Sequence, residues 1–285
     1  MRPLRPEAPL TLALGERTYD VTSRALVMGV LNRTTDSFFS PAATYELDAL
    51  FDRAARLVAE GADLLDVGGV RAGPGDEVTE AEELDRVVPV VEALHARFDV
   101  PVSVDTWRAS VAAASFAAGA VLGNDISGFQ DPGYLAAAAT AGASVVATHI
   151  RLRPRVADPD PVYDDVVATV RTVLVAKARE AVVAGIPAPR VLVDAGLDLG
   201  KTPAQSLELL RASGELATLG FPLLLSASNK RFLGDRLGVA IDARNDASLA
   251  AAALGVSLGC RVLRVHDVRG TVRVRDALAS VLEAA

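Results

Sequence analysis

The stretch Asp194-Ala195-Gly196-Leu197-Asp198-Leu199-Gly200-Lys201 sets the reading of the whole chain. Just before it, Arg190-Val191-Leu192-Val193 has the character of a buried strand. Just after it, Thr202-Pro203 marks a helix start with proline in the first turn, where a missing N–H costs nothing. Asp194 therefore stands where a strand ends and a glycine-rich loop begins. Parallel sheets gather their ligands at the carboxyl ends of the strands, so a carboxylate there faces a pocket. The fold turns on whether other polar residues hold equivalent positions elsewhere in the chain.

Working outward, strand-like runs occur at Ala25–Val30, Asp63–Val67, Val102–Asp105, Ala120–Asp125, Ser144–His149, Val191–Asp194, Pro222–Ser226 and Arg261–His266. Helical stretches separate them at Glu46–Glu60, Glu80–Arg97, Arg108–Ala118, Pro132–Ala141, Asp164–Ala184, Pro203–Leu219, near Arg231–Gly238 and at Ser248–Gly259. A last helix is expected over Val274–Glu283. Eight strand–helix units in 285 residues, with no glycine fingerprint after the first strand, favour an α/β fold of the closed (β/α)8 barrel type over an open doubly wound sheet. Ahead of the units, Thr11–Leu14, a turn at Gly15-Glu16-Arg17, and Thr18–Val21 read as a β-hairpin placed to cover the lower end of the barrel. Without a linker or low-complexity segment, residues 1–285 are read as one domain.

Composition narrows the partners. The chain is 51% hydrophobic, which is ample for a core, and its net charge of −7 is unlike the basic footprint of a nucleic-acid binder. The lone Cys260 excludes an internal disulfide framework, fits a reducing compartment, and reads as a small buried hydrophobe. No apolar run reaches the length of a membrane span, and three prolines and Glu7 interrupt the first residues, unlike a signal peptide. A soluble, cytoplasmic location is the expectation.

The strand ends carry a constellation. In order they are Asn32 to Phe38, Asp66-Val67-Gly68-Gly69, Ser103-Val104-Asp105-Thr106, Asn124-Asp125, Thr148-His149, Asp194, Ser226-Ala227-Ser228-Asn229-Lys230 and Arg264-Val265-His266-Asp267. Taken singly, each has a bland explanation. An aspartate caps a helix, paired glycines make a turn, His149 is a satisfied core histidine, and Lys230 is solvated. Together on one rim they exceed what capping needs. Asp105, Asn124 and Asp194 with Lys230 suit a flat heterocycle with donor and acceptor edges. Arg264 and His266 alternate along a strand, share one side, and suit a phosphate or diphosphate.

These residues resemble the dihydropteroate synthase family over nearly the whole chain. Met28-Gly29-Val30-Leu31-Asn32-Arg33-Thr34-Thr35-Asp36-Ser37-Phe38 is similar to the family's M-G-I-L-N-V-T-P-D-S-F, and Asp66-Val67-Gly68-Gly69 to the start of its D-V-G-G-E-S-T-R-P-G. Ser103 to Thr106, Asn124-Asp125, Gly200-Lys201 and Arg264 to Val268 match outright. The resemblance implies condensation of 6-hydroxymethyl-7,8-dihydropterin diphosphate with p-aminobenzoate, releasing diphosphate. It implies a pterin ring held by Asp105, Asn124, Asp194 and Lys230, and a diphosphate held by Arg264 and His266. It further implies Mg²⁺ on Asn32, Ser228 near the p-aminobenzoate carboxylate, Asp36 and Lys230 as catalytic side chains, and a homodimer.

The chain departs from that pattern in its loops. E-S-T-R-P-G becomes Val70-Arg71-Ala72-Gly73-Pro74-Gly75, which removes the Ser, Thr and Arg of the second loop from their places. D-P-G-I-G-F-G-K becomes the opening stretch, with Asp198 for a glycine and Leu199 for a phenylalanine. Met-His-Met becomes Thr148-His149-Ile150, and Ser-Arg-Lys becomes Ser228-Asn229-Lys230. The pterin and diphosphate residues are retained while the arylamine and loop residues are not. The chain in this respect resembles the divergent second synthase copy of actinobacteria. The expectation is a pterin-binding enzyme with a weakened or altered second-substrate site; the alternative is a paralogue that binds pterin without catalysing synthesis.

Overall fold

Alternation along each strand explains the architecture, because successive side chains of an extended chain point to opposite faces. The structure, a computed structural model, describes residues 9–32 and 43–283. An antiparallel hairpin comes first: β1 (Thr11–Leu14) and β2 (Arg17–Asp20), turning at Gly15 with φ 59°. Eight strands follow: β3 (Leu26–Asn32), β4 (Leu64–Gly68), β5 (Val102–Asp105), β6 (Leu122–Asp125), β7 (Ser144–Thr148), β8 (Val191–Asp194), β9 (Leu223–Leu225) and β10 (Cys260–Val265). They are parallel throughout and close into a barrel in the order β10-β3-β4-β5-β6-β7-β8-β9. The expected (β/α)8 barrel with its N-terminal hairpin is therefore what the chain forms.

Two apolar sets divide at the strand wall. Outward-facing side chains such as Val27, Leu65, Val67, Val104 and Val193 pack against the surrounding helices. Inward-facing Leu26, Met28, Leu64, Leu122, Val146, Leu192, Leu224 and Val262 fill the lower barrel together with Leu12, Leu14 and Val21 of the hairpin. The hairpin is thus a plug for the amino-terminal end. It is tied in place by the Ser144 hydroxyl on the Ala13 carbonyl at 2.6 Å and by the Arg190 guanidinium on the Gly15 carbonyl at 2.7 Å.

The helices are α1 (Ala43–Ala59), α2 (Glu80–Arg97), α3 (Ala109–Ala117), α4 (Tyr134–Ala141), α5 (Val166–Val183), α6 (Pro203–Arg211), α7 (Ser213–Leu216), α8 (Arg231–Leu237), α9 (Asn245–Ser257) and α10 (Val268–Glu283). Helices α2 and α6 start at capping boxes, Thr79 with Glu82 and Thr202 with Gln205, which satisfy first-turn N–H groups reciprocally. Two helix expectations need correction. The helix expected over Pro203–Leu219 stops at Arg211 and is followed by short pieces, because Ala212 leaves helical geometry ahead of Ser213-Gly214. The last helix begins at Val268 rather than Val274. Gly270 looks like a breaker in sequence, but its N–H is bound by the Asp267 carboxylate at 2.9 Å, so it serves as a first-turn residue.

Candidate active site

The inward face of each strand changes from apolar below to polar above. Leu64 is followed by Asp66, Leu122 by Asn124, Val146 by Thr148, Leu192 by Asp194, and Val262 by Arg264. Each step of two residues keeps the side chain inside the barrel while moving it toward the carboxyl-terminal mouth. Polar groups from five strands converge there without any motif joining them along the chain.

A single guanidinium organises one side of the mouth. Arg264 Nε donates to Asp66 Oδ2 at 2.6 Å and Nη2 to Asp105 Oδ2 at 2.7 Å. Asp66 also accepts from the Ser103 hydroxyl at 2.6 Å and the Asn124 amide at 3.3 Å. Burial penalises the Arg264 cation, but Asp66 and Asp105 outweigh it and hold its pKa above the ordinary value. Burial, reinforced by the charge of Asp66, pushes Asp105 up to about 7 against the pull of Arg264. The expected diphosphate ligand Arg264 is therefore already paired with the expected pterin ligand Asp105. Asp66, to which no ligand role was assigned in the sequence, is the acceptor at the centre. Its partner Asn124 is placed as expected, whereas the adjacent Asp125 points outward and closes a turn on the N–H groups of Ser127 and Phe129 at 2.7 and 2.8 Å.

The opposite side is built by the stretch that opens the loop after β8. Asp194 is buried, and its carboxylate accepts the Gly196 N–H at 2.8 Å. Burial raises its pKa, opposed by Lys230 and by that N–H. The Lys230 ammonium donates to the Leu197 carbonyl, with its own pKa lowered by burial and raised in part by Asp194. Lys201 staples the loop from beneath. Its ammonium lies 2.8 Å from Gly196 O, 3.0 Å from Leu199 O, 3.2 Å from His149 O and 2.9 Å from His149 Nδ1. Burial lowers Lys201 to about 7, and burial with the Lys201 charge lowers His149 to about 3. His149 is thus the satisfied core histidine that the sequence suggested. Gly196 must be glycine: a β-carbon there would sit 1.9 Å from the His149 carbonyl, and its φ is 65°.

Thr148 stands beside Asp194 in the β7–β8 register. It is 2% exposed, and its hydroxyl has no hydrogen-bond partner among the described residues. At the β9–β10 side, Ser228 Oγ lies 2.9 Å from His266 Nδ1 and accepts the His266 N–H at 3.2 Å. Burial, with the Arg264 charge, lowers His266 to about 4, so the ring is neutral near neutral pH. Asn32 ends β3 in an exposed position, and its Oδ1 and Asp105 Oδ2 each lie 3.5 Å from where a β-carbon on Gly68 would be. Asp36, with Arg33, Thr35, Ser37 and Phe38, lies outside the described residues.

The altered second loop is held by a residue that the sequence did not single out. Arg155, in the loop after β7 and with φ 67°, donates its backbone N–H to Ala72 O at 3.0 Å and its guanidinium to the carbonyls of Arg71 (3.4 Å) and Asp76. Only its charge was visible beforehand; its partners are about eighty residues away, at sequence separations of 84 and 79. A cavity of about 730 Å³, lined by Trp107, Arg108, Gln130, Arg151 and Arg153 among others, lies on this rim outside the mouth. Its Arg108 and Arg151 are already paired with Glu83 and Asp158.

Comparison with known proteins agrees with this geometry. A family model described as pterin binding enzyme matches residues 28–266. The chain is 44% identical over 268 residues to "Inactive dihydropteroate synthase 2" of Mycobacterium leprae, covering 90% of this chain and 91% of that protein. It is 37% identical over 259 residues to dihydropteroate synthase of Escherichia coli K12, covering 90% and 92%. The crystal structure of Yersinia pestis dihydropteroate synthase with a sulfonamide drug complex superposes with a TM-score of 0.89 at 40% identity, covering 97% of this chain and all of that one. A matching barrel, a family model over residues 28–266 and identities at this level over nine-tenths of the chain lead to one conclusion: this protein belongs to the pterin-binding enzyme family of the dihydropteroate synthases.

Proposed function

We propose that the barrel mouth binds 6-hydroxymethyl-7,8-dihydropterin diphosphate and that the chain is a dihydropteroate synthase-like transferase. The observation that carries this reading is the facing arrangement of Asp66, Asp105 and Asn124 on one side and Asp194 and Lys230 on the other. A pterin presents an amino-pyrimidinone edge with adjacent donors and acceptors, and buried carboxylates and a carboxamide are the groups that pair with it. In the reaction the arylamine lone pair forms a C–N bond to the pterin methylene carbon. The C–O bond to diphosphate breaks, and its electron pair leaves with the diphosphate. The amine proton passes to the departing diphosphate or to solvent.

Arg264 engages Asp66 and Asp105 through Nε and Nη2 and only one oxygen of each carboxylate, so Asp105 keeps an oxygen for the ring. The remaining guanidinium N–H groups, beside neutral His266, would hold diphosphate oxygens and stabilise the charge that develops on them. Among the described residues no cluster of three or more carboxylates, histidines or cysteines could cage a metal. Mg²⁺ does not need one, since it is commonly held by one or two protein oxygens together with substrate phosphates and water. The Asn32 carboxamide oxygen, exposed at the mouth beside Asp105, fits that role and is the residue that would hold it. Mg²⁺ so placed would neutralise charge on the departing diphosphate. Asp36 is proposed as a catalytic side chain on the resemblance alone, and a homodimer on the same ground.

A second reading is favoured by the loops. The second loop lacks the family's Ser, Thr and Arg, Asp198 and Leu199 replace Gly and Phe, and the mycobacterial relatives are named inactive. On that reading the chain binds the pterin and condenses p-aminobenzoate slowly or not at all. Calorimetric titration with pterin diphosphate and Mg²⁺, followed by diphosphate release with and without p-aminobenzoate, separates the two. Binding with turnover supports the synthase, and binding without turnover supports the altered paralogue. Loss of one buried charged partner typically costs about 1.5–3 kcal/mol, so Asp194→Ala should weaken pterin affinity at least tenfold. Unchanged affinity in that variant would refute the site.

A further inference from the structure

Five buried side-chain atoms lack a hydrogen-bond partner among the described residues: Ser115 Oγ, Tyr134 Oη, Thr148 Oγ1, Arg190 Nη1 and Arg244 Nε. Folded interiors leave few such groups, and each calls for a physical reason. Four of the five lie away from the inner wall of the mouth. Ser115 and Tyr134 belong to α3 and α4, and a β-carbon on the outward-facing Gly123 would sit 2.5 Å from Tyr134 Oη. Arg190 stands at the amino-terminal end of β8, tied to the hairpin. Arg244 lies against Gly234 of α8, outside the strands. Of the five, Thr148 alone is inside the barrel at the level of the polar residues.

Alternation along β7 puts it there. Val146 fills the barrel and Ala147 packs outward, so Thr148 points inward again, level with Asp194 of β8. Two close backbone approaches fix this end of the strand. A β-carbon on Gly128 would sit 2.5 Å from Thr148 O, and one on Gly196 1.9 Å from His149 O. The strand end therefore has no room to shift and find the hydroxyl a partner. Asp194 spends Oδ1 on the Gly196 N–H, and its Oδ2 carries no hydrogen bond among the described residues. At one level on adjacent strands, the wall thus offers a carboxylate oxygen that accepts and a hydroxyl free to donate.

We propose that Thr148 is a pterin-binding residue of this chain: its hydroxyl donates to an acceptor of the same ring edge whose donor Asp194 Oδ2 takes. The proposal rests on the pterin reading of the mouth and adds a contact to it. The dihydropteroate synthase pattern has methionine at this place, without a hydroxyl, so the contact is particular to this chain. A buried hydroxyl left unmet costs the free protein its desolvation, and a ring acceptor that meets it recovers that cost on binding. In the barrel, β8 and β9 separate β7 from β10, which carries Arg264. The contact therefore falls on the ring and not on the diphosphate.

The test is calorimetry on the full chain, as wild type, Thr148→Val and Thr148→Ser. Each is titrated with 6-hydroxymethyl-7,8-dihydropterin and, in Mg²⁺, with its diphosphate. Thr148→Val keeps the shape and removes the hydroxyl, and is expected to weaken both ligands by the same factor, about fivefold. Thr148→Ser keeps the hydroxyl and is expected to stay within about twofold of wild type for both. A valine variant that binds both ligands as wild type does, or that loses affinity for the diphosphate form alone, overturns the proposal while leaving the pterin site standing. Wild-type protein that binds neither ligand overturns the reading of the mouth and this proposal with it. Urea unfolding at or above wild-type stability marks Thr148→Val as folded. If it does not fold, Thr148→Ala, which also lacks the hydroxyl, decides in its place by the same two titrations.

Discussion

Arg264 illustrates what one residue does in a low-dielectric mouth. It bridges Asp66 and Asp105 and pulls against the burial that raises Asp105. Thr148 is the opposite case, a buried hydroxyl beside Asp194 with no hydrogen-bond partner among the described residues. An unmet hydroxyl destabilises the free protein and becomes useful only when a ligand meets it. Thr148→Val is therefore expected to leave urea stability unchanged or raised by up to about 1 kcal/mol, while weakening pterin binding several-fold. Unaltered pterin affinity in calorimetry would show that the hydroxyl contacts no ligand. His149 supplies a pH test. Its folded pKa, lowered from 6.5 to about 3, means that the native state resists protonation that the unfolded state accepts. The stability due to the neutral ring is complete above about pH 6.5 and is lost as pH falls toward 3. In urea unfolding, the advantage of wild type over His149→Gln should therefore shrink between pH 7 and pH 4, by on the order of 3 kcal/mol. A constant difference across that range would contradict a neutral, buried His149.

Among the elements, the loops after β4 and β7 behave as one unit through Arg155. Its three contacts go to main-chain groups of residues 71, 72 and 76, so they hold the second loop regardless of that loop's side chains. Arg155→Ala removes the two guanidinium contacts and keeps the backbone N–H on Ala72 O; the loss costs the fold little, because the loop is exposed and each net hydrogen bond contributes about 1 kcal/mol. Arg155→Ala is accordingly expected to shift the global unfolding midpoint slightly while raising amide exchange and protease cutting within residues 71–78 by tenfold or more. Protection that stays at the wild-type level would mean that the loop is held by other contacts.

At the scale of the molecule, the barrel needs both ends closed. The mouth is filled by paired polar groups, and the lower end by the hairpin side chains Leu12 and Leu14, 0% and 1% exposed against Leu26, Met28 and Leu192. Leu14→Ala should cost about 2–5 kcal/mol, since a cavity at the barrel floor has rigid strands on every side and cannot collapse. For a chain of this size the melting temperature should drop by about 2–4 °C per kcal/mol. A drop under 2 °C would mean that the hairpin is docked on the barrel rather than part of its core.

The sequence by itself determined the barrel, the hairpin and the strand ends that carry Asp105, Asn124, Asp194, Lys230, Arg264 and His266. These follow from periodicity and turn chemistry, which act between neighbours along the chain. Helix ends were legible only within a few residues, because Gly270 needs Asp267 before it can open α10. What only the tertiary structure decided is which groups meet. Arg264 reaches Asp66 and Asp105 across separations of 198 and 159 residues, and Asp198 reaches Arg231 across 33. No local pattern encodes such pairs. They arise because eight strands of fixed stagger close a ring and bring the last strand beside the first, so that a carboxylate, an amide or an unbonded hydroxyl acquires its neighbours only when the barrel shuts.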